Sequence, residues 1–367
     1  MNLFTDSRIV LTLDAGGTTF EFNAIQSGKI LLEPVIFSSG DLSKNELISM
    51  IIEGFTVVTR QLKERTASAI SFCFPGPADY ENGIIGDLEN IPAFKGGVPL
   101  KAILEDHFQI PVFINNDGDL FTLGEAMVGL LNEINTCSTA AGNTHQYHSL
   151  LGITLGTGFG SGFVYQNKIL FGENGAAFEI NRMSSRYAGL ASVEDVCSIR
   201  GIKRLFAKYS GLGESEIPEP KEINAIAEDV THPYHEAAIQ TWEEFGTIAG
   251  DAIVNAVTLT DSNVVIGGGP SKAWKWFMPS LIKAMNEPFR ENCSKLISRA
   301  EIMIYNWEDE TQRIDFLNSK QIELKVGSKT ILYDPVKRVC AGVSRLGTAG
   351  AVALGAYAFA LEKMGSN

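Results

Sequence analysis

The sequence predicts an α/β fold built from two duplicated halves, and three observations lead to this prediction. A β-branched run at residues 9–13 is followed by a glycine turn and by an alternating segment over 20–25, a pattern typical of two strands joined by a tight turn. The same pattern returns over residues 150–165. Elsewhere, apolar runs of strand length alternate with stretches of helical periodicity. Because such a repeat is typical of duplicated α/β halves that face each other, we expect a ligand to bind between the two glycine turns.

Both halves are predicted to continue as alternating helices and strands. In the first half the apolar spacing predicts a helix over 45–62, a strand over 69–74, a helix over 100–108, a strand over 111–115 and a helix over 120–128. In the second half it predicts helices over 194–209 and 235–259, a strand over 263–266, a mostly helical stretch over 273–297 and a last helix over 348–363. The polar stretches 132–148 and 211–221 are predicted to be surface loops.

This organisation predicts two domains. We expect residues 1–125, completed by a C-terminal helix over 346–367, to form the first domain, and residues 126–345 to form the second. Residues near 300–339 alternate in polarity and are broken by turn signals, so they are predicted to be a β-rich insertion. The sequence assigns no function to that insertion.

Composition excludes several classes of protein. The 367-residue chain has a net charge of -13 and a pI near 5.0, so it lacks the basic face that nucleic acid or an anionic membrane requires. No stretch has the length and apolar character of a membrane span or a signal peptide, and we therefore expect a cytoplasmic protein. The five cysteines are odd in number and far apart, and the five histidines are dispersed, which favours reduced thiols and argues against a His/Cys metal site.

The first glycine turn carries residues suited to binding phosphate. Asp14 ends the predicted strand, and the turn contains Gly16, Gly17 and Thr18, whose backbone N–H groups can point at phosphate oxygens. A carboxylate beside phosphates needs a cation between them, normally Mg²⁺, so Asp14 is a candidate magnesium residue. A simple glycine β-hairpin is the alternative interpretation of this segment.

Two further glycine clusters follow predicted strands. They consist of Gly156, Thr157 and Gly158, and of Gly267, Gly268 and Gly269. The first cluster repeats the phosphate-turn pattern and adds a hydroxyl donor. The second precedes a helix, where a nucleotide base or ribose can lie against bare backbone.

Asp117 is the candidate catalytic base. It follows Asn116 at the end of an apolar strand, where side chains of an α/β sheet face a ligand site. A carboxylate at this position can take a proton from a sugar hydroxyl as the hydroxyl attacks phosphorus, while the neighbouring amide orients that hydroxyl. A helix cap made by Asp117 or Asp119 explains the same residues equally well, and spacing alone leaves both interpretations open.

Over the whole chain, the motifs resemble the ROK family (repressors, open reading frames, sugar kinases) of the actin-like ATPase superfamily. They follow the family's order and nearly its spacing, and they are Asp14-Ala-Gly-Gly-Thr18, Phe74-Pro-Gly-Pro-Ala78, Asn115-Asn-Asp-Gly118 with Gly124-Glu125, Leu155-Gly-Thr-Gly158, Asn174-Gly-Ala-Ala-Phe-Glu-Ile180, Val265-Ile-Gly-Gly-Gly269 and Leu346-Gly-Thr-Ala-Gly350. The resemblance implies two actin/hexokinase-like (ribonuclease H-like) domains with an active-site cleft between them, and a homodimer.

The resemblance also implies roles for single residues. It implies phosphate loops at 16–18 and 156–158, an adenosine site at 267–269, and Asp117 as the base. The residues implied to bind the sugar are Gly76, Asn116, Asp117, Glu179, Arg182 and Glu194. Paired carboxylates suit a polyol, because each can accept hydrogen bonds from two neighbouring hydroxyls. Without the resemblance, Glu179 and Glu194 are better interpreted as ordinary surface helix charge.

The chain departs from the family pattern at one motif. The family usually has Gly-Glu-Ile-Gly-His and then three cysteines that bind structural zinc with that histidine, whereas this chain has Phe178-Glu-Ile-Asn-Arg182 and no cysteine over 183–196. The comparison therefore implies no zinc site. That histidine also commonly touches the sugar, and Arg182 offers a larger, charged fork of donors in its place. A substrate other than glucose, such as an acidic sugar, is compatible with this change.

The expected function is ATP-dependent phosphorylation of a hexose or N-acetylhexosamine hydroxyl, with ATP and Mg²⁺ as cofactors. A sugar-binding transcriptional regulator of the ROK type is the main alternative, but only thirteen residues precede Asp14, which is too few for a helix-turn-helix. A sugar-binding or inactive kinase homologue is a third hypothesis, motivated by Arg182 and by the missing zinc site.

Overall fold

The computed structural model describes two compact units of the chain. The described residues are 3–15, 19–38, 42–74, 76, 78–86, 94, 96–187, 189, 191–290, 296–318 and 322–365. Unit 1 consists of Met1–Gly129, Lys168–Ala177 and Leu346–Asn367, and unit 2 of Leu130–Asn167 and Phe178–Arg345. Helices and strands alternate in both units, which confirms the predicted α/β class.

The strands are numbered β1 to β19 in chain order. They are Val10–Ala15, Thr19–Gln26, Lys29–Ile30, Val35–Ser38, Ala69–Cys73, Ala78–Asp79, Ile84–Ile85, Val98–Pro99, Val112–Asn115, Ser149–Leu155, Phe159–Tyr165, Lys168–Ile169, Asn263–Gly268, Phe289–Arg290, Leu296–Ile297, Met303–Asn306, Ile322–Val326, Lys329–Tyr333 and Arg338–Val343. The helices are numbered α1 to α11 in the same way. They are Lys44–Gln61, Leu100–Phe108, Asp117–Met127, Leu130–Ala140, Val193–Cys197, Ile199–Ser210, Pro220–Glu228, His235–Thr260, Trp274–Asn286, Glu310–Leu317 and Thr348–Lys363.

The sheet of unit 1 has the strand order β3-β2-β1-β5-β9, with β4 also paired to β2. Strand β1 is antiparallel to β2 and parallel to β5, which is in turn parallel to β9. Apolar side chains on one face of this sheet pack against α1, where the rings of Phe22 and Phe72 lie 5.1 Å and 5.8 Å from Phe55. This layer of buried rings fixes the strands that end at the candidate site.

The sheet of unit 2 repeats that arrangement. It contains the order β11-β10-β13-β19-β16, in which β10 is antiparallel to β11 and parallel to β13, and β19 is parallel to both of its neighbours. Helices α8 and α9 cover it with a core that includes Trp242, Phe245 and Phe277. An antiparallel pair followed by parallel strands occurs in both sheets, so the predicted duplication is visible in the topology.

The last helix packs closely on α3 within unit 1, as its Ala- and Gly-rich sequence predicts. A side chain at Gly355 would overlap the carbonyl oxygen of Leu120, so only glycine lets the two backbones approach this far. The contact fixes α3, whose first residue is Asp117. The terminal helix thereby helps to position the candidate base.

Three predicted elements differ from the structure. The stretch predicted as a polar loop over 132–148 begins inside α4, because Leu130, Ile134 and Ser138 form a buried stripe at helical spacing, and this burial outweighs the weak helix propensity of the polar residues. The helix predicted over 194–209 is broken at Ser198, which has extended backbone (ψ 178°). The helical stretch predicted over 273–297 ends at Asn286, two residues before Pro288.

The stretch predicted to be β-rich near 300–339 is mixed. Strands β16 and β19 belong to the main sheet of unit 2, and α10 lies between them in sequence. The hairpin of β17 and β18 forms a separate two-stranded sheet. Among the described residues, no helix combines the length and apolar character needed to cross a bilayer.

Candidate active site

Asp117 is the first residue of α3, directly after the carboxyl end of β9. The helix cap is made by Asn116, whose Oδ1 accepts a hydrogen bond of 2.8 Å from the N–H of Gly118. Neither Asp117 nor Asp119 is therefore needed as the N-cap residue, although Asp117 Oδ1 also accepts from the N–H of Gly118 at 2.9 Å. The Asp117 side chain is left exposed, at the positive end of the helix dipole.

The carboxyl of Asp117 is both accessible and enclosed. Its side chain reaches solvent, yet the surrounding protein displaces enough water to raise its pKa above the ordinary value of an aspartate. The backbone N–H groups of Gly118 and of Asp117 itself act in the opposite direction, because they stabilise the carboxylate. A raised pKa makes the carboxylate a stronger base, which suits proton abstraction.

The side-chain amide of Asn116 makes two hydrogen bonds. Its Oδ1 caps α3, and its amide also forms a hydrogen bond with the hydroxyl of Tyr80. That hydroxyl donates to the carbonyl oxygen of Phe74 at 3.0 Å, so Tyr80 links the strand end of β5 to the start of α3. Burial raises the pKa of Tyr80, which keeps the phenol protonated and able to donate. No sequence signal distinguished Tyr80 from other tyrosines.

Asp14 lies near the end of β1 and faces other carboxylates. It pairs across the β1–β2 ladder with Glu21, whose Oε1 accepts from the side chain of Asn23 at 3.0 Å. Burial raises the pKa of Asp14, and the negative charges of Glu21 and Asp117 raise it further. Glu21 was not predicted as a site residue from the sequence. The signal was available, because counting residue pairs outward from the glycine turn between β1 and β2 places Glu21 opposite Asp14.

These three carboxylates make the end of the unit 1 sheet strongly acidic. Oxygen ligands of this kind suit Mg²⁺, which commonly binds one or two carboxylates together with the phosphates of its nucleotide. Among the described residues, no group of three or more His, Cys, Asp or Glu side chains is arranged to hold a metal by itself. The carboxylate of Asp14 is of the type that magnesium prefers, and its predicted role as a magnesium ligand stays a prediction. The first predicted phosphate loop, Gly16, Gly17 and Thr18, lies outside the described residues.

In unit 2, the second glycine turn meets Glu194. The turn joins β10 to β11, and Gly156 N–H donates to the carbonyl oxygen of Gly158 at 3.0 Å. Glu194 Oε2 accepts from the N–H of Phe159 at 3.3 Å, and a Cβ atom on Gly158 would lie only 2.7 Å from that oxygen. The glycine therefore makes room for the carboxylate, while Thr157 between the two glycines is exposed.

Glu194 is carried by the short helix α5. That helix begins with a capping box in which Ser192 and Asp195 exchange hydrogen bonds, so its start is well defined. Arg200 Nη2 lies 3.8 Å from Glu194 Oε1. About a third of the Glu194 side chain is exposed (35%), which leaves its carboxylate accessible beside the glycine turn.

Glu179 and Arg182 are exposed on a neighbouring segment of unit 2. Glu179 precedes a short 3₁₀ turn, Ile180–Arg182, and follows Phe178. The N–H of Val193 donates to the carbonyl oxygen of Met183 at 2.8 Å, which ties this segment to the start of α5. The structure therefore places Glu179, Arg182 and Glu194 on two connected segments of one unit.

Phe178 has a left-handed backbone (φ +60°), which is unusual for a large side chain. Its carbonyl oxygen accepts from Ser161 Oγ at 2.5 Å and from the N–H of Ile180 at 2.7 Å. Its ring lies 4.6 Å from the ring of Phe163. Strain of this kind persists where the surroundings hold it, and here it directs the chain that carries Glu179. Ser161 was missed in the sequence, because nothing in the strand pattern of β11 marks it.

The remaining predicted residues lie at strand ends. Gly267 and Gly268 finish β13, and Gly269 begins a short 3₁₀ turn that leads into α9. Gly76 follows the end of β5 and is exposed. Their predicted roles in binding adenosine and sugar stay predictions.

Comparison with known proteins identifies the relatives of this chain. It is 28% identical over 276 residues to the N-acetyl-D-glucosamine kinase of Vibrio cholerae (70% of this chain, 82% of the relative) and 26% identical over 281 residues to the glucokinase of Thermotoga maritima (72% and 83%). The crystal structure of a glucokinase from Parabacteroides distasonis matches with a TM-score of 0.90 and 42% identity over 99% of both chains. A ROK hexokinase from Thermus thermophilus, at 21% identity and a TM-score of 0.67 over 98% of this chain and all of its own, shares the fold.

The family comparison agrees with these relatives. The model of the ROK family matches residues 10–301, which include Asp14, Asp117, both glycine turns and the predicted sugar carboxylates. The match covers well over half of the chain. This protein belongs to the ROK family.

Proposed function

We propose that this protein transfers the γ-phosphoryl group of ATP to a hydroxyl of a hexose or N-acetylhexosamine, with Asp117 as the general base. The observation that carries the proposal is the state of Asp117, an exposed carboxylate with a raised pKa at the first turn of α3, whose cap is already made by Asn116. The kinases named above, which span most of this chain, support the reaction class.

In the proposed reaction, Asp117 accepts the proton of the sugar hydroxyl. The hydroxyl oxygen forms a new bond to the γ-phosphorus, and the bond between that phosphorus and the β–γ bridging oxygen breaks, so that its electron pair leaves with ADP. Asn116 fixes the start of α3 and thus the direction of the carboxylate. A magnesium ion that arrives with ATP would neutralise charge on the phosphates, and Asp14 is the residue proposed to hold it.

Glu179 and Glu194 are proposed to read the ring hydroxyls, since their carboxylates accept hydrogen bonds from neighbouring hydroxyls. Arg182 lies on the same segment as Glu179 and is exposed, so it is available to a sugar that carries an acidic or amide substituent. These three residues support a hexose or N-acetylhexosamine as the substrate class, but they do not identify the individual sugar.

A coupled assay of ADP release tests the proposal. Hexoses, 2-acetamido hexoses and the corresponding sugar acids are offered in parallel with Mg²⁺ and ATP, and at least one is expected to stimulate ADP release far above the rate without sugar. If none does, while a sugar still binds by calorimetry, the protein is a sugar-binding homologue without turnover and the proposal fails.

A further inference from the structure

Tyr80 lies beside two of the residues that were predicted to bind the sugar, Gly76 and Asn116. It begins the turn that joins β6 to β7. Asp79 fixes this turn, because its carboxylate accepts hydrogen bonds from the backbone N–H and the side chain of Asn82 at 3.1 Å and 2.8 Å. The ring of Tyr80 packs against the apolar core of unit 1. The turn and the core thus hold the phenol hydroxyl next to Gly76 and Asn116.

The hydroxyl of Tyr80 has a single proton, which is already engaged in a hydrogen bond. The hydroxyl donates it to the carbonyl oxygen of Phe74 at 3.0 Å. Only lone pairs of the hydroxyl therefore face Asn116, so the atom of Asn116 that meets them is the donor of its amide, the nitrogen. Burial raises the pKa of Tyr80, and the hydrogen bond from Asn116 acts in the opposite direction, as a bond donated to a phenol oxygen does.

The oxygen of the Asn116 amide is fixed as well. It accepts a hydrogen bond of 2.8 Å from the N–H of Gly118. A half-turn of the amide would bring its nitrogen against that N–H and its oxygen against the lone pairs of Tyr80, so both hydrogen bonds would be lost. The amide therefore has one preferred orientation. Because the side chain of Asn116 is half-buried, its second N–H and its remaining lone pair are left for a ligand.

We propose that Tyr80 is a positioning residue for sugar binding, whose hydroxyl fixes which atoms Asn116 presents to the sugar. This role rests on the proposed function, because it requires a sugar beside Asn116 and Asp117. The two side chains are complementary, since the amide offers an N–H donor and the carboxylate of Asp117 only accepts. A sugar hydroxyl can do both, so it matches this pair. An amide without Tyr80 would change between two orientations and match the sugar in only one of them.

The variant Tyr80→Phe tests this role, because it removes one oxygen atom and keeps the ring. Calorimetry without ATP measures the Kd of the sugar that binds the wild type most tightly among hexoses, 2-acetamido hexoses and sugar acids. The Kd, and the KM for that sugar in the ADP assay, should rise roughly 3–10-fold, as expected when one neutral hydrogen bond is lost. The kcat and the KM for ATP should stay within about twofold, because Asp117 keeps its carboxylate.

Tyr357→Phe is the matched control for a general loss of stability. The hydroxyl of Tyr357 also accepts from an N–H, that of Ser27 at 3.0 Å, and also donates to a carbonyl oxygen, that of Asp6 at 3.3 Å. Both tyrosines belong to unit 1. The two variants should therefore lower Tm by similar amounts, whereas the control should leave the sugar Kd unchanged. An equal rise in Kd for both variants would reflect a general loosening of unit 1 and would overturn the proposal.

A double-mutant cycle tests whether Tyr80 acts through Asn116. Asn116→Ser removes the amide but keeps a side chain that caps helices well, so α3 retains its start. This change should weaken sugar binding by itself, and adding Tyr80→Phe should then alter the Kd by less than about twofold. A further rise as large as that in the wild-type background would show that Tyr80 does not act through the amide. The proposal also fails if Tyr80→Phe alone binds the sugar like the wild type.

The two readouts separate this proposal from the proposed function. A wild type that binds a sugar but releases no ADP would refute the kinase activity, while the Kd values of the variants would still decide the role of Tyr80. A wild type that releases ADP with a sugar, together with an unchanged Kd in Tyr80→Phe, would refute only the role of Tyr80. If no sugar binds at all, both proposals are wrong.

Discussion

The two units share a strand order but differ in what they place at the glycine turn. In unit 1 the ladder beside the turn pairs Asp14 with Glu21, and α3 brings Asp117 close enough for its charge to act on Asp14. In unit 2 the equivalent ladder pairs Thr154 with Gly160, and the turn is met instead by the Glu194 carboxylate from α5. The same backbone pattern therefore supports two different chemical environments.

This difference suggests that the two units have different roles in the proposed reaction. The unit 1 carboxylates repel one another and are partly desolvated, which suits a base and a residue that meets a magnesium ion. The unit 2 carboxylates, Glu179 and Glu194, are exposed or partly exposed and lie on segments tied together by backbone hydrogen bonds, which suits recognition of hydroxyls. We expect unit 1 to control turnover and unit 2 to control affinity for the sugar.

The largest expected effect is that of Asp117→Asn. Losing the proton acceptor should lower kcat by roughly 10²–10⁴-fold, whereas KM for the sugar should change only a few-fold, since the amide keeps the size of the side chain. ADP release with the active sugar measures both values. Asp119→Asn, in the same helical turn, is the control and should stay within several-fold of the wild type. A variant at position 117 with near-normal kcat would show that Asp117 is not the base.

The second effect tests unit 2. Glu179→Gln and Glu194→Gln each weaken charge-assisted hydrogen bonds to sugar hydroxyls, worth about 1.5–3 kcal/mol apiece, so KM should rise roughly 10–100-fold with a smaller change in kcat. Saturation curves for the sugar at fixed ATP give both parameters. Glu236→Gln, an exposed change in the first turn of α8, serves as the control. If these variants lowered kcat as much as Asp117→Asn at unchanged KM, the division between the units would be wrong.

A smaller effect concerns the stability of unit 1. The pKa of Asp14 is raised in the folded state, so the Asp14 carboxyl holds its proton more tightly in the folded protein than in the unfolded chain. Below the unfolded pKa of about 3.9 this carboxyl has no destabilising effect, and the folded state loses stability as pH rises through the folded pKa. At pH 7–8 without ligand, Asp14→Asn should therefore raise Tm by roughly 2 °C.

Calorimetry across pH checks this sign. The gain from Asp14→Asn should shrink as pH falls towards 4, and Asp106→Asn, an exposed change in α2, should show no gain at any pH. Magnesium with ATP should stabilise the wild type more than Asp14→Asn. A lower Tm for the variant at pH 8 would mean that its charge is already compensated in the folded protein.

Much of this comparison could be predicted from sequence. Strand ends with glycine turns are strongly patterned, and the helix at Leu100–Phe108 begins and ends where its periodicity predicts. Helix α4 was missed because the spacing of Leu130, Ile134 and Ser138 is a short signal among polar residues. Its other support comes from contacts far away in sequence, since Glu133 is held by Arg345 at 2.7 Å and by Trp307 at 2.8 Å. Spacing could not choose between base and cap at Asp117 either, since that choice depends on the geometry of Asn116.

The smallest expected effect concerns the left-handed backbone of Phe178 in unit 2. Phe178 occupies the position where the family pattern has glycine, and its backbone is left-handed. Phe178→Ala and Phe178→Gly both lose the ring contact with Phe163, but only alanine keeps the left-handed cost of about 1–2 kcal/mol. That cost exceeds the extra unfolded-state entropy of glycine, about 0.4–1 kcal/mol. The glycine variant should therefore be the more stable of the two by up to about 1.6 kcal/mol, or roughly 2 °C in Tm.

The KM for the sugar tests whether the two variants at Phe178 also affect function. If the left-handed backbone at Phe178 is what directs Glu179, the glycine variant should keep KM for the sugar close to that of the wild type, because glycine adopts the same φ without strain. The alanine variant keeps that strain without the ring contact that holds it in place, so its left-handed backbone should be populated less fully and its KM should rise several-fold. Ser161→Ala removes the hydrogen bond to the Phe178 carbonyl and should act in the same direction. Equal KM values in all three variants would mean that Glu179 is directed by the turn Ile180–Arg182 alone.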